Sequence, residues 1–434
     1  MSTIENEIHS DLESPHLFNY LREEVPVEDI RDYASPRRIR SIDFAKGFAI
    51  TMVIVAHCSG SWLIPERSWL YGIGFAFLDV LGPGLFVFLS ALSVVFSVKK
   101  KENILPDKVI RARSLFRGGM MMLIGAGYNV VFMMGSDIYF PATLWGLNIL
   151  TLIGIAQIIS YFALKLKKWQ RALIGMIIVA SSDYIRAFLY YGKETGNPVI
   201  SLLNFILISP LPMTPIFPTL SVSFISTIFG EYLYDAMKKG TKDAYVGLFR
   251  IFLIWGALLI IWGLLSPTLI IGGSVLGYYP VAPGDLPGGL TEYPHLGLLY
   301  AINKNPWFTW EGMPLFLVRG TSSNMWYNLG ASLLIIAIGF YIIDLKEKDN
   351  GFINTMNYFG KISLSLFFIH QIFIATFHQQ LDIIFFVIVI LSYIGMLGLG
   401  MYIWIEYAGG KGSPEWLIVQ LGRIVMQPKK KRKK

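Results

Sequence analysis

Apolar residues along this chain gather into runs of about 20, separated by short charged or Pro/Gly-rich breaks, rather than alternating one by one. A run of that length, rising 1.5 Å per helical residue, crosses a hydrocarbon layer of roughly 30 Å. The pattern predicts membrane-spanning helices over 44–64, 73–98, 114–135, 142–164, 171–191, 216–237, 248–271, 326–345, 360–380 and 383–405. The segments of about 10 alternating residues that mark an outer-membrane barrel are absent. The expected fold class is therefore all-α: a polytopic integral membrane protein with about ten transmembrane helices.

Two stretches break the pattern. Residues 201–219 carry Pro210, Pro212, Pro215 and Pro218, a density that no continuous helix sustains, and read as a short interfacial or re-entrant piece. Residues 272–325 form the longest connection, rich in Gly and Pro, and a connection of that length is usually functional. Its aromatic residues Trp307, Phe308 and Trp310 suit the headgroup level.

Composition sharpens this picture. Over 434 residues the chain is 54% hydrophobic and only 15% charged, with mean hydropathy +0.54, which excludes an ordinary soluble domain. All but five of its 37 Lys and Arg residues fall on one side of the predicted membrane, the exceptions being Arg67, Arg186, Lys193, Lys304 and Arg319. That asymmetry places both termini in the cytoplasm by the positive-inside rule. Residues 1–35 then form a polar, acidic cytoplasmic tail without a signal-peptide core, 36–423 the transmembrane domain with 272–325 as its outer loop, and 424–434 a basic tail. The Lys429–Lys434 run reads as a solvated tail near anionic lipid, so no nucleic-acid partner is expected. The single cysteine, Cys58, excludes a disulfide framework and a cysteine-based zinc cluster.

Ionisable groups at membrane depth mark candidate function. The first predicted span carries Asp43 and Lys46 at its inner boundary and His57 about 20 Å further out on nearly the same helical stripe. Such a stripe suits a tunnel that holds a charged ligand at its inner end and presents a reactive tip to the imidazole. His370 is the second buried imidazole, in the ninth span, with Ser363 two turns earlier on its face. Asp79 is an intramembrane carboxylate just before Gly82-Pro83-Gly84, able to orient a histidine or to lock a broken helix. Asp183 and Arg186, one turn apart, are expected to pair. Arg111, Arg113 and Arg117 enter a helix at the inner face, where guanidinium forks suit phosphate and pyrophosphate, although positive-inside charge alone also explains them. A polar network that merely locks helices together is the alternative reading of the histidines. No Gly-rich nucleotide loop, His-Glu-x-x-His site or Gly-x-Ser-x-Gly elbow occurs, so neither a metal site nor a soluble enzyme class is expected.

Asp43-x-x-Lys46-Gly47 followed by His57 resembles the first-helix motif of the membrane acyltransferase-3 superfamily. The segment Arg40-Ser41-Ile42-Asp43-Phe44-Ala45-Lys46-Gly47, with Asp79 to Ser90, is more similar still to the heparan-α-glucosaminide N-acetyltransferase catalytic-domain branch. Further echoes are Gly146 to Leu150, Gly360 to Leu364 leading to His370, and Gly412-Ser413-Pro414-Glu415-Trp416. The resemblance implies an enzyme that moves an acyl group, acetyl above all, from cytosolic acyl-CoA to a sugar, lipid or glycan acceptor in the membrane or beyond it. It implies no permanently bound cofactor, with acetyl-CoA as a donor substrate. It assigns His57 as catalytic histidine, with Asp43 and Lys46 as its motif partners. Two departures stand out: lysine occupies position 46, where the superfamily usually has arginine, and Pro65-Glu66-Arg67-Ser68-Trp69 has no histidine where the glucosaminide branch has one. The expected mechanism seats the CoA phosphates on Lys46, Arg111, Arg113 and Arg117, uses His57 as general base or transient acyl carrier, and has His370 assist by hydrogen bonding. A transporter or flippase, or a non-catalytic membrane scaffold, are the competing classes. The chain shows no obvious internal repeat of the kind many transporters display.

Overall fold

The computed structural model describes residues 39–78, 83–132, 140–145, 148–208, 215–271, 286, 289–293, 296–300 and 314–425. These are helical throughout, with no strand beyond an isolated bridge between Leu63 and Leu381. Numbering helices of ten residues or more, α1 is Arg40–Trp62, α2 Ser68–Leu78, α3 Pro83–Lys99, α4 Asp107–Phe132, α5 Ile149–Ala163, α6 Lys168–Glu194 and α7 Pro198–Leu207. They continue as α8 Ile216–Lys239, α9 Lys242–Ile271, α10 Ser322–Gly339, α11 Gly351–Lys361, α12 Ser363–Phe373, α13 Ile383–Ala408 and α14 Pro414–Val425.

Helices lie under every predicted span, but among the described residues six are long and apolar enough on their own to cross a membrane: α1, α6, α8, α9, α10 with its π-helical extension Phe340–Leu345, and α13. The bent pair α11 and α12 makes a seventh if it is a single span. The ninth predicted span, 360–380, straddles that bend: the two axes turn by 94° at Ile362, so Gly360 and Lys361 end one helix and Ser363 begins the next. The second predicted span is split between α2 and α3, and Asp79 lies outside the described residues. In the proline-rich stretch, 201–207 is helical as part of α7, Pro215 caps α8 and Pro218 sits in its first turn, where no intrahelical N–H is needed. Pro210 and Pro212, the acidic tail 1–35, residues 426–434 of the basic tail, most of the 272–325 loop, Trp307, Phe308 and Trp310 also lie outside the described residues.

Helices α1, α8 and α10 are largely buried, whereas α6, α9 and α13 show most of their apolar residues on the outside, as lipid-facing helices do. Close helix pairs use reciprocal glycines. A Cβ on Gly47 of α1 would collide with the Met356 carbonyl of α11, and one on Gly360 with the Asp43 carbonyl. Gly118 and Gly154 join α4 to α5 in the same way, and Gly256 and Gly330 join α9 to α10. Without a hydrophobic drive between helices in lipid, this backbone proximity is what packing and dispersion can exploit.

Candidate active site

Two helices carry the site, α1 and α12, and each is held at its N-terminus by a carboxylate from a distant segment. Asp344 accepts hydrogen bonds from the backbone N–H groups of Arg40 and Ser41, both at 3.2 Å, and so caps α1. Glu415 accepts from Leu364 N at 2.8 Å, Ser365 N at 3.3 Å and the Ser365 hydroxyl at 2.6 Å, and so caps α12 after its break. Each carboxylate satisfies helix-end donors that have no intrahelical partner and places negative charge at the positive end of the helix. Asp183 does the same for α10, accepting from Ser322 N at 3.1 Å and from its hydroxyl. The expected Asp183–Arg186 pairing is thus only part of the picture. Arg186 acts on Asp183 by charge, but its guanidinium stacks 3.6 Å over the Tyr293 ring.

Capped in this way, α1 and α12 run alongside one another toward their C-terminal ends. Trp62 Nε1 donates to the Ile374 carbonyl at 2.7 Å and the Ser61 hydroxyl donates to the same oxygen at 3.1 Å. Leu381 N in turn donates to the Trp62 carbonyl at 2.8 Å. One turn back from this clamp, His57 Nδ1 lies 2.9 Å from His370 Nε2, the rings 5.2 Å apart and tilted by 27°. Gln371 Nε2 stands 3.0 Å from the first nitrogen and 3.1 Å from the second. His370 is fully buried, its main-chain carbonyl accepting from the Tyr393 hydroxyl and its ring meeting Phe367 edge-on.

The proton positions follow from the acceptors. The Leu366 carbonyl, 3.0 Å from His370 Nδ1, can only accept, so Nδ1 carries hydrogen and Nε2 of the neutral ring is a lone pair. A His57 protonated on Nδ1 donates to that lone pair and carries a free lone pair on Nε2, whereas one protonated on Nε2 accepts from the Gln371 amide at Nδ1. The first tautomer can act as an oriented base, with a histidine as the orienting group.

The other predicted residues stand apart from the histidines. Asp43 and Lys46 share α1 with His57, but fourteen and eleven residues of helix put them about 21 and about 16 Å away. Asp43 is buried where α1 crosses α11, and Lys46 Nζ donates to the Ser93 hydroxyl of α3 at 3.3 Å. Gly47 of the same motif serves helix packing. Arg111, Arg113 and Arg117 lie on α4, which packs on α5 and α14; Arg111 and Arg117 are exposed, and no described contact joins the three to Lys46 or to the histidines. Asn148 is structural: its side chain caps α5 at Leu150 N and Thr151 N and donates to the Gly125 carbonyl at 2.7 Å. Gln371 and Asp344 carry no signal in the sequence, and Glu415 appears there only within the Gly412–Trp416 motif. Gln371 follows His370 directly, but nothing in the linear order signals either carboxylate as a cap.

Elsewhere, α3, α8 and α10 wall a small, partly open cleft lined among others by Gly84, Thr219, Arg319, Asn324, Asn328 and Ser332. The family described as heparan-alpha-glucosaminide N-acetyltransferase, catalytic, matches residues 38–267, more than half of the chain. The chain belongs to that family. No curated protein matches it. Membership makes the chain an acetyltransferase, a multi-pass membrane enzyme of a glycan-directed family. The matched acetyltransferase segment contains Asp43, Lys46, Gly47 and His57, whereas His370, Gln371 and Glu415 lie beyond it.

Proposed function

We propose that this acetyltransferase moves an acetyl group from cytosolic acetyl-CoA to an amine or hydroxyl of a glycan or lipid-linked acceptor, with His57 as general base. The observation that carries the proposal is the 2.9 Å contact between His57 Nδ1 and His370 Nε2, which in the Nδ1-protonated tautomer leaves the outer nitrogen of His57 as a base. In the reaction the acceptor nitrogen or oxygen attacks the thioester carbonyl while His57 Nε2 takes its proton. The tetrahedral intermediate then collapses, the carbon–sulfur bond breaks, and the imidazolium returns the proton to the departing CoA sulfur. While positively charged, His57 is stabilised through its Nδ1–H bond to His370. The chemistry needs no metal or permanently bound group.

The chain is oriented with ten crossings and both termini in the cytoplasm, a reading supported by the lysine and arginine asymmetry and by helices under every predicted span. In that orientation Lys46 faces inward and His57 outward, so a donor entering from the cytosol presents its thioester near His57. Lys46, Arg111, Arg113 and Arg117 are its proposed phosphate contacts, supported by their place at the inner ends of α1 and α4. The test is acetyl transfer and acetyl-CoA hydrolysis by the detergent-purified chain and by His57→Ala. Loss of the general base is expected to lower kcat by about 10²–10⁴-fold; equal rates would remove His57 from the reaction. Labelling of a cysteine introduced near the N-terminus, in sealed vesicles, checks the orientation.

A further inference from the structure

We infer that a hydroxyl-lined groove between α1, α3 and α5 seats the amide-bearing arm of the donor, and that Gln157 pairs with one of its amides. The inference rests on the acyl-transfer reading above and specifies which side chains of this protein hold the arm.

Helix α3 turns two different faces to its neighbours. Phe88, Leu92 and Val95 meet α8: the Phe88 carbonyl accepts from the Ser226 hydroxyl at 2.6 Å, and a Cβ on Gly230 would press on Val95 and on the Leu92 carbonyl. Ser90, Ser93 and Ser97 lie within about 60° of one another on the opposite side. All three are partly exposed, whereas Leu89, Leu92 and Val95 beside them are buried. Polar side chains at membrane depth turn toward other helices or a wet cavity rather than lipid.

The neighbouring helices supply matching polar groups. Lys46 Nζ of α1 donates to the Ser93 hydroxyl at 3.3 Å, and Lys101 Nζ reaches the Ser97 hydroxyl at 3.5 Å. Gln157 Nε2 of α5 donates to the Ser90 hydroxyl at 3.0 Å. From Ser97 to Ser90 the stripe climbs about 10 Å away from the Lys99 end of α3, past Lys46 and in the direction of His57.

A serine in a membrane helix can satisfy its hydroxyl on its own backbone, as Ser93 does on the Leu89 carbonyl, so the stripe alone would be structural. Gln157 is different. It is only 6% exposed, its bond to Ser90 aims it at the stripe, and its Oε1 has no hydrogen-bond partner among the described residues. Ser160, one turn further along α5, is fully buried with its hydroxyl likewise unpartnered. A buried acceptor left unmade is costly, and a ligand N–H donating to it recovers that cost. The arm of CoA offers such donors, two secondary amides between its phosphates and its sulfur. Cations at the inner end of the groove, then hydroxyls and a carboxamide, then His57 follow the order phosphate, amide, thioester along the donor.

The experiment uses the full-length chain in detergent, with Ser90→Cys, Ser93→Cys and Ser97→Cys introduced singly and labelled by a charged, water-soluble methanethiosulfonate. The native chain, whose one cysteine is buried, is the blank, and Ile388→Cys on the exposed side of α13 is the lipid-facing control. The three serine positions are expected to label about tenfold or more faster than Ile388→Cys, because only a hydrated thiol forms thiolate readily. Acetyl-CoA and pantetheine, which both carry the amides, should protect Ser90→Cys, and adenosine 3′,5′-bisphosphate, with phosphates but no arm, should not. Gln157→Met, which keeps the unbranched shape without the polar atoms, should raise the concentration of either needed for protection about tenfold, with the unprotected labelling rate unchanged. No labelling at the three serine positions, labelling that acetyl-CoA and pantetheine leave unaltered, equal protection by the bisphosphate, or protection of Gln157→Met at wild-type concentrations would overturn the proposal. The same protection read in the His57→Ala background separates the two readings: transfer lost with protection kept leaves the groove in place, and protection lost with transfer kept removes the groove alone.

Discussion

His57 and His370, 313 residues apart in the chain, share one hydrogen bond of 2.9 Å in which the second ring can only accept. The asymmetry comes from the Leu366 carbonyl, which fixes the tautomer of His370. In the proposed reaction His370 is a positioning residue, and its replacement should leave the base in place but unoriented. His370→Ala is expected to lower kcat by about tenfold to a hundredfold, less than the full contribution of a general base, with the KM for acetyl-CoA little changed. Steady-state kinetics beside His57→Ala check this. A kcat for His370→Ala equal to wild type would mean that the contact only packs two helices.

Glu415 holds the N-terminus of the His370 helix from fifty residues away. Loss of a comparable helix cap costs about 0.5–2 kcal/mol, and three bonds converge on this carboxylate. Glu415→Ala should lower the melting temperature and reduce kcat together, since α12 loses both its anchor and its direction. Glu415→Gln keeps one acceptor oxygen and should fall between. If Glu415→Ala melts like wild type, the cap is not what holds the break at Ile362.

Much of this site was legible in the order of residues, and the remainder was hidden for a physical reason. Hydropathy runs mark helices because lipid admits no unsatisfied backbone, so α1, α6, α8, α9, α10 and α13 stand where apolar length puts them. His57 and His370 stand out because an imidazole at membrane depth is rare. The 94° break at Ile362 was hidden because no proline or glycine sits at that residue; the turn depends on a cap supplied by Glu415, a tertiary contact. Gly47 reads as part of a catalytic motif, yet its space is filled by the Met356 backbone. Local order cannot separate a residue kept for chemistry from one kept for helix approach.

Asp382, at the N-cap of α13, ties that helix to the turn after α1, accepting from Arg67 Nε at 2.8 Å while also accepting from the Ile383 backbone N–H. Both bonds favour the ionised form, and Arg67 first of all holds the Asp382 carboxyl below the usual carboxylate range. A group depressed in the folded state adds stability above its unfolded pKa, about 3.9, and loses it as pH falls through the folded value. The stability difference between wild type and Asp382→Asn should therefore be level from pH 7 to about 5 and shrink below about 4. Because the pair is half exposed, high salt should reduce the difference as well. A difference that grows on acidification would contradict this account.

Glycine to alanine substitutions set two effects of opposite sign against each other. Within a helix, alanine is preferred to glycine by about 0.5–1 kcal/mol, because it restricts the unfolded backbone more. At Gly395 of α13, where a Cβ would meet nothing within 4 Å, that is the only effect, and Gly395→Ala should be neutral or slightly stabilising. At Gly47 and Gly360 a Cβ would fall on the carbonyls of Met356 and Asp43, backbone atoms that cannot rotate away. Helices α1 and α11 would have to part, and overpacking of this kind costs about 1–3 kcal/mol, enough to reverse the sign. Gly47→Ala and Gly360→Ala should each lower the melting temperature. The double substitution should cost less than the sum of the two, because the first already separates the helices that the second would push apart. Since α11 leads through the break at Ile362 into the His370 helix, the same variants should also slow acetyl transfer. Full activity with an unchanged melting temperature in Gly360→Ala would show that the two helices are free to separate without disturbing the dyad.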